Sequence, residues 1–368
     1  MRDHGVGTEL RRAAAQVPID ADRALARFHA GRRRRRAVRR SATMVVAVAV
    51  AVAGLGILWT ARPTGRDRIR PLGSAPTGTI AYMHATHDGS RVALGTLMIG
   101  GAPTTLVDEA FVDYPVWSPD ATSIAYGAGP DYDHTVLTVA NADGTSPRRI
   151  SDHPIRGAFA WSPDGLQLAY IGDAPDGVTA AFIVDADGQD EHRVIDGWWQ
   201  SISWSPDGSL LLLAGHPATP DNVAGPEGFD LYTVRTDGTR LERLTKTLEY
   251  EHFASWSPDG SRILFTRSPE YDDADYPSDV YSMSADGSGE RRLTDWGGFD
   301  SFPVWSPDGD WIAFTSDRDA SPDQQQAQRR GEAFGNNSLY VMRSDGGDAR
   351  RVLSAGEGET IAPTSWRR

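Results

Sequence analysis

The sequence has no cysteine. That absence excludes a disulfide scaffold, a thiol nucleophile, thiolate zinc, iron–sulfur clusters and a lipid anchor on cysteine. Lysine is nearly missing too: Lys246 is the single one, and the other basic residues are all arginine. No G-x-S-x-G elbow, H-E-x-x-H helix, P-loop or dinucleotide fingerprint occurs, so the common signatures of hydrolases, zinc peptidases and nucleotide enzymes are lacking. Long apolar runs are lacking as well, with one exception, 44–59. Apolar residues make up 39%, too many for general disorder and too few for a many-span membrane protein. Glycine (38) and proline (23) are plentiful in the 368 residues, which suits many short strands and tight turns. The length predicts two domains or one large closed all-β architecture.

Charge is divided unevenly. Residues 1–43 hold 12 arginines against 4 acids, and 62–75 hold 4 against Asp67. Residues 76–368 hold 21 basic and 45 acidic residues. An acidic body of this size argues against nucleic acid as a partner, because phosphate binding needs the opposite sign. At the junction, 41–61 is a run of 21 residues without a charge. As a helix it spans roughly 31 Å, about one hydrocarbon core. Seven arginines precede it (Arg32 to Arg36, Arg39, Arg40) and four follow. That bias predicts a cytoplasmic N-terminus and an extracytoplasmic body, with Trp59 at the outer interface. A cleaved signal peptide would need a longer leader than the usual ~15–30 residues, and Trp59-Thr60-Ala61 is a poor cleavage site. The basic tail either orients the span and touches anionic lipid or docks a cytoplasmic partner.

The body repeats itself. Trp-Ser-Pro-Asp recurs at Trp117, Trp161, Trp204, Trp256 and Trp305, at intervals of 44, 43, 52 and 49 residues. Glycine follows four times and Ala121 once. Seven residues after each Trp an apolar triplet begins, such as Ile124-Ala125-Tyr126 or Ile263-Leu264-Phe265. A further strand pattern follows, then an Asp-Gly turn (Asp143, Asp187, Asp237, Asp286, Asp345) and a last short strand such as Arg291-Arg292-Leu293-Thr294. Proline presets φ, aspartate bonds its own backbone and glycine takes positive φ, so each unit predicts a four-stranded antiparallel sheet with fixed corners. The tryptophan is expected to wedge between neighbouring sheets. Ala121, where its siblings have glycine, is expected to strain its turn by about 1 kcal/mol or to reshape it. Asp185 to Asp190 looks like a calcium loop, but it sits where the other units have their hairpin and has no bidentate Glu.

This pattern resembles the TolB-type, WD40-like propeller repeat over about residues 78–366. It lacks the Trp-Asp signature of true WD repeats. The arginine bias resembles high-GC bacterial usage, of which actinobacteria are an example. The resemblance implies an all-β, six-bladed β-propeller. The C-terminal Ala362-Pro363-Thr364-Ser365-Trp366 matches the strand at Trp305 and would close the ring with the first three N-terminal strands. The expected division is a cytoplasmic tail (1–40), a transmembrane helix (41–61), a linker (62–77) and the propeller (78–368). TolB proteins proper are soluble, with an extra N-terminal domain, and act with the Tol–Pal envelope system. Here the predicted anchor replaces that domain, so fold does not carry that function across. Prolyl-peptidase propellers resemble the repeat too, but carry a hydrolase domain that nothing here encodes.

The reading is a membrane-anchored binding or scaffold module in the cell envelope, without catalytic residue or cofactor. Its partner is an envelope protein, peptide or glycan. Alternatives are a sensor relaying through the tail, and a metal-dependent carbohydrate lyase or hydrolase using channel histidines. Strand direction puts the short turns on one face and the long loops on the other. The tether enters on the short-turn side, so the long-loop face would point away from the membrane. From Trp to Asp-Gly the spacing runs 26, 26, 33, 30 and 40. Candidate ligand-binding residues on that face are Asp113, Tyr114, Arg156, Trp198, Trp199, Tyr250, Glu251, His252, Phe299 and Asp300. Aromatics among carboxylates make a platform for cationic, peptide or sugar ligands; equally, many could pack between sheets. Trp117, Trp161, Trp204, Trp256, Trp305 and Trp366 are the structural set.

Overall fold

A computed structural model describes residues 78–85, 92–98, 103–109, 111–130, 134–218, 228–269, 277–321, 323, 325, 337–353 and 362–367. Before Pro115, side chains are described only at Gly78, Thr79 and Ala81. The predicted tail, transmembrane helix and linker lie outside these residues. Among the described residues no helix is long and apolar enough to cross a membrane.

Regular structure is almost wholly strand, and each sheet is named here by its tryptophan. The Trp117 sheet runs β4 (Phe111–Trp117), β5 (Ser123–Gly129), β6 (Val136–Asn141) and the start of β7 (Arg148–Trp161). The rest of β7 opens the Trp161 sheet, with β8 (Gln167–Asp173), β9 (Thr179–Asp185) and the start of β10 (His192–Trp204). β10 then opens the Trp204 sheet, with β11 (Leu210–Pro217), β12 (Asp230–Arg235) and β13 (Glu242–Arg243). The Trp256 sheet is β14 (Tyr250–Trp256), β15 (Arg262–Ser268), β16 (Asp279–Ser284) and β17 (Arg291–Arg292). The Trp305 sheet is β18 (Asp300–Trp305), β19 (Trp311–Ser316), β20 (Ser338–Arg343) and β21 (Arg350–Leu353). Finally β22 (Pro363–Arg367) pairs with β1 (Thr79–Ala85), followed by β2 (Val92–Met98) and β3 (Pro103–Glu109). All pairings within these sheets are antiparallel. The first strands touch in an unbroken circuit: β22 meets β4, then β7, β10, β14 and β18 follow, and β18 meets β22.

The apolar triplets lie in the second strands and are fully buried, from Ile124-Ala125-Tyr126 to Ile312-Ala313-Phe314. Such runs, apolar at successive residues, fit strands covered on both faces by neighbouring sheets. Each large side chain so buried contributes roughly 1.5–3 kcal/mol. The tryptophans join the sheets. Trp161 Nε1 donates to the Val116 carbonyl at 3.0 Å, and Trp204 Nε1 to the Ala160 carbonyl at 3.1 Å.

The turns are more elaborate than their sequence predicts. In the first, Ser118 Oγ donates to Asp120 Oδ1 at 2.6 Å and accepts the Ser123 N–H at 3.0 Å. Ser162, Ser205, Ser257 and Ser306 do the same in their turns. Serine therefore ties both ends of the corner together. The fifth place holds positive φ throughout: Gly165, Gly208, Gly260 and Gly309 lie at 71–74°, and Ala121 lies at 60°. The turn keeps its shape at Ala121 and carries the strain, instead of being reshaped.

The last strands hold a second device. Arg149, Arg243 and Arg292 each donate through Nε to the carbonyl two residues on. The Ser or Thr there accepts a third-strand N–H, in the pairs Ser151–Leu137, Thr245–Leu231 and Thr294–Val280. At the seam, Thr364 Oγ1 donates to the Pro115 carbonyl at 2.6 Å. Arg367 donates to the Ala121 carbonyl at 2.7 Å, and its guanidinium lies 3.8 Å from the Trp117 ring centroid.

Candidate ligand-binding face

The first strand of each sheet begins on the long-loop face, and there its pairing slips. The register with the second strand shifts between Asp113 and Val116, Trp199 and Ser201, His252 and Ser255, and Ser301 and Val304. Two of these bulges carry phenylalanine in the left-handed region, Phe253 at φ 52° and Phe302 at φ 54°. A bulky side chain there is strained by about 1–3 kcal/mol and needs support from its surroundings. The support is aromatic: the two rings lie 4.0 Å apart, centroid to centroid.

From that pair a ribbon of rings extends both ways. Phe302 meets Phe299 at 6.4 Å, and Phe253 meets His252 at 5.9 Å. Phe229 lies against both Tyr250 (5.3 Å) and His252 (5.7 Å), and beyond it stands His216 at 5.8 Å. The ribbon crosses the Trp204, Trp256 and Trp305 sheets. Tyr250, His252, Phe253 and Phe299 are half-buried, while Phe229 and Phe302 are buried. Burial pushes the His252 imidazole down to about 4, so it is a neutral ring near neutrality.

Strand alternation divides the predicted residues. Tyr250 and His252 share one side of β14, and Glu251 takes the other, fully buried. Arg267 Nη2 lies 2.5 Å from Glu251 and 2.6 Å from Glu290, and Thr245 donates to Glu251 as well. Asp300 is likewise fully buried and takes Arg318 at 2.8 Å. Burial holds both carboxyls above the usual range, against the pull of their arginines. These acids act inside the fold, between elements. Trp199, 1% exposed, is also internal and meets the Tyr232 ring at 5.6 Å. Trp198 is half-buried opposite His216 in the register. Arg156 is half-buried and bonds Asp173 at 2.5 Å. Asp113 and Tyr114 lie in β4, but their side chains are outside the described residues.

Sequence reasoning left Phe229, Arg267 and Arg318 aside; Phe253 and Phe302 fall on the blade connections of this face but outside the candidate set. Phe253 and Phe302 are marked by their place three residues before Trp256 and Trp305, whereas Phe229 stands just before a third strand, where the repeat marks no aromatic. The arginines gave no signal beyond a charge at the end of an apolar run. His153 bonds Glu191 at 2.8 Å, and Tyr170 bonds the same carboxylate at 2.6 Å. Among the described residues no three metal-ligating side chains cluster.

The chain resembles the crystal structure of TolB from Acinetobacter baumannii, with a TM-score of 0.62 at 20% identity over 78% of this chain. It covers 66% of that protein, just under two-thirds. The fold is a TolB-like β-propeller. A second TolB-like structure, putative TolB from Agrobacterium tumefaciens, matches with a TM-score of 0.56 at 21% identity, over 79% of this chain and 95% of that one. The propeller is shared more widely: an oligogalacturonate lyase in complex with manganese matches at 0.51 and 16% identity, over 75% of this chain and 74% of its own. No family model matches the sequence. No curated protein matches it either.

Proposed function

We propose that this chain is a membrane-anchored, extracytoplasmic TolB-like propeller of six blades. Its role would be that of a binding or scaffold module in the bacterial cell envelope, with the partner on the long-loop face. The observation that carries the binding role is the aromatic ribbon, in which two strained phenylalanines and part-exposed rings gather on one face. Strain of that kind, held by neighbouring side chains, belongs with ligand clamps and binding sites. The unbroken circuit of first strands supports six blades. The uncharged run at 41–61, with arginines on either side, supports the anchor.

Crosslinking in intact cells tests the role. Trp198→Ala, Tyr250→Ala, His252→Ala and Phe299→Ala are each expected to weaken partner capture about tenfold, the scale of an interface hot spot. Their melting temperatures should change little. Capture that survives all four, yet is lost on changing the Asp-Gly turns, would place the partner on the opposite face.

A further inference from the structure

The repeat tryptophans stand in one register: Trp161 pairs with Leu168, Trp204 with Leu211, Trp256 with Ile263 and Trp305 with Ile312. The carbonyls that accept from Trp161 and Trp204 are in register too, since Val116 pairs with Ala125 and Ala160 with Ala169. Ser203, opposite Leu212, and Ser255, opposite Leu264, hold that same place ahead of Trp256 and Trp305. Yet the indole N–H groups of Trp256 and Trp305 are buried without a hydrogen-bond partner among the described residues. Donor and acceptor are set alike within every sheet, so what differs is how one sheet sits against the next. Trp161 and Trp204 bond across boundaries that β7 and β10 bridge, whereas the Trp256 sheet shares no strand with either neighbour. We propose that the Trp256 sheet leans as a body between those neighbours. Toward the Trp204 sheet, the Trp256 indole takes the Ser203 carbonyl; toward the Trp305 sheet, the Trp305 indole takes the Ser255 carbonyl. The conformation described above lies between the two, and the motion is independent of what the long-loop face binds.

A buried, unpaired donor costs free energy, so either lean recovers one bond. The pivot is at the other end of the first strands, where the boundaries are bonded. There the Glu251 N–H donates to the Phe229 carbonyl at 3.0 Å, and the Asp300 N–H to the Ser278 carbonyl at 2.9 Å. Beside that pivot the strained Phe253 and Phe302 meet across the boundary at 4.0 Å, a wedge that favours the lean toward the Trp204 sheet. Arg262 pulls the other way. Its Nη1 donates to the Ser344 carbonyl at 3.1 Å, and its guanidinium lies 4.7 Å from the Trp305 centroid. Backbone strain and an unpaired donor are of the same order, which is the condition for two populated states. Trp117 also lacks an indole partner, but its main-chain N–H bonds Ser365 Oγ at 3.3 Å and stitches the seam at that residue.

Magnetic resonance of the indole N–H groups tests this directly, on the full-length chain in detergent with isotope-labelled indole nitrogens. Replacing one tryptophan at a time by phenylalanine assigns the signals, and relaxation dispersion detects microsecond-to-millisecond exchange. Trp256 and Trp305 should each show dispersion or two resolved signals, with one common rate because one body carries both contacts. Trp161 and Trp204 should be flat, with hydrogen exchange at least about tenfold slower. Phe302→Leu, which thins the wedge, should raise the bonded fraction of Trp305 and lower that of Trp256. Single flat signals at Trp256 and Trp305, unrelated rates at the two, or equal dispersion at all four indoles overturn the leaning sheet. So do bonded fractions that rise together in Phe302→Leu; if that variant fails to fold, the wild-type profiles decide alone. No partner is present, so a negative result leaves the binding face to the crosslinking test.

Discussion

Ala121 shows what one methyl group does in a repeated turn. Its four siblings are glycine, and all five share one backbone conformation. A Cβ in the left-handed region is disfavoured by roughly 1–2 kcal/mol, so Ala121→Gly is expected to stabilise the protein by about 1 kcal/mol. Urea unfolding would measure it; no gain would mean that the turn is already relaxed. This strain was legible from the missing glycine alone. The strain at Phe253 and Phe302 was not. Nothing in a Phe codon position announces a left-handed bulge, which arises because the first strand must slip against the second where it starts. Trp199 was misleading for a related reason: an aromatic beside another aromatic reads as surface platform until alternation turns one of the two inward.

Between strands, the register gives the buried acids their purpose. Glu251 and Arg267 are direct partners across β14 and β15, and Glu251 is sealed from solvent. Removing the cation alone, as in Arg267→Met, strands a buried carboxylate and is expected to cost about 3–5 kcal/mol. Adding Glu251→Gln should return a large part of that loss. Chemical denaturation of both variants decides it, and an undiminished penalty in the double variant would show that Arg267 acts through packing alone. The sequence displays this pair only as two charges 16 residues apart, because cross-strand register depends on loop lengths that differ from unit to unit. The Arg-x-Thr device in the last strands escaped notice for a similar reason. Its hydroxyl serves a third-strand amide 14 residues earlier, as in Thr245 and Leu231, and no local pattern records that.

At the scale of the whole molecule, the repeat itself carried the architecture, since five copies of one turn motif leave few other arrangements. The match of Ala362 to Trp366 with the strand at Trp305 pointed to the seam. Deleting residues 360–368 removes β22, with Trp366 and the Thr364 and Arg367 bonds, and exposes both an apolar surface and a strand edge. A fall in melting temperature of more than about 10 °C, or aggregation, is expected; an unchanged melt would show that the ring holds without its seam. The continuous strands β7 and β10 have a consequence of another kind. They weld the Trp117, Trp161 and Trp204 sheets into one ten-stranded sheet, whereas the Trp256 and Trp305 sheets share no strand with their neighbours. The ring is therefore stiff on one arc and jointed on the other. The aromatic ribbon lies across the jointed arc, where the sheets are held by a few cross-links in place of a shared strand: Ser278 pairs with Phe299, and the Ala254 N–H donates to Ser201 Oγ. A guest seated there would act as a pin through the joint.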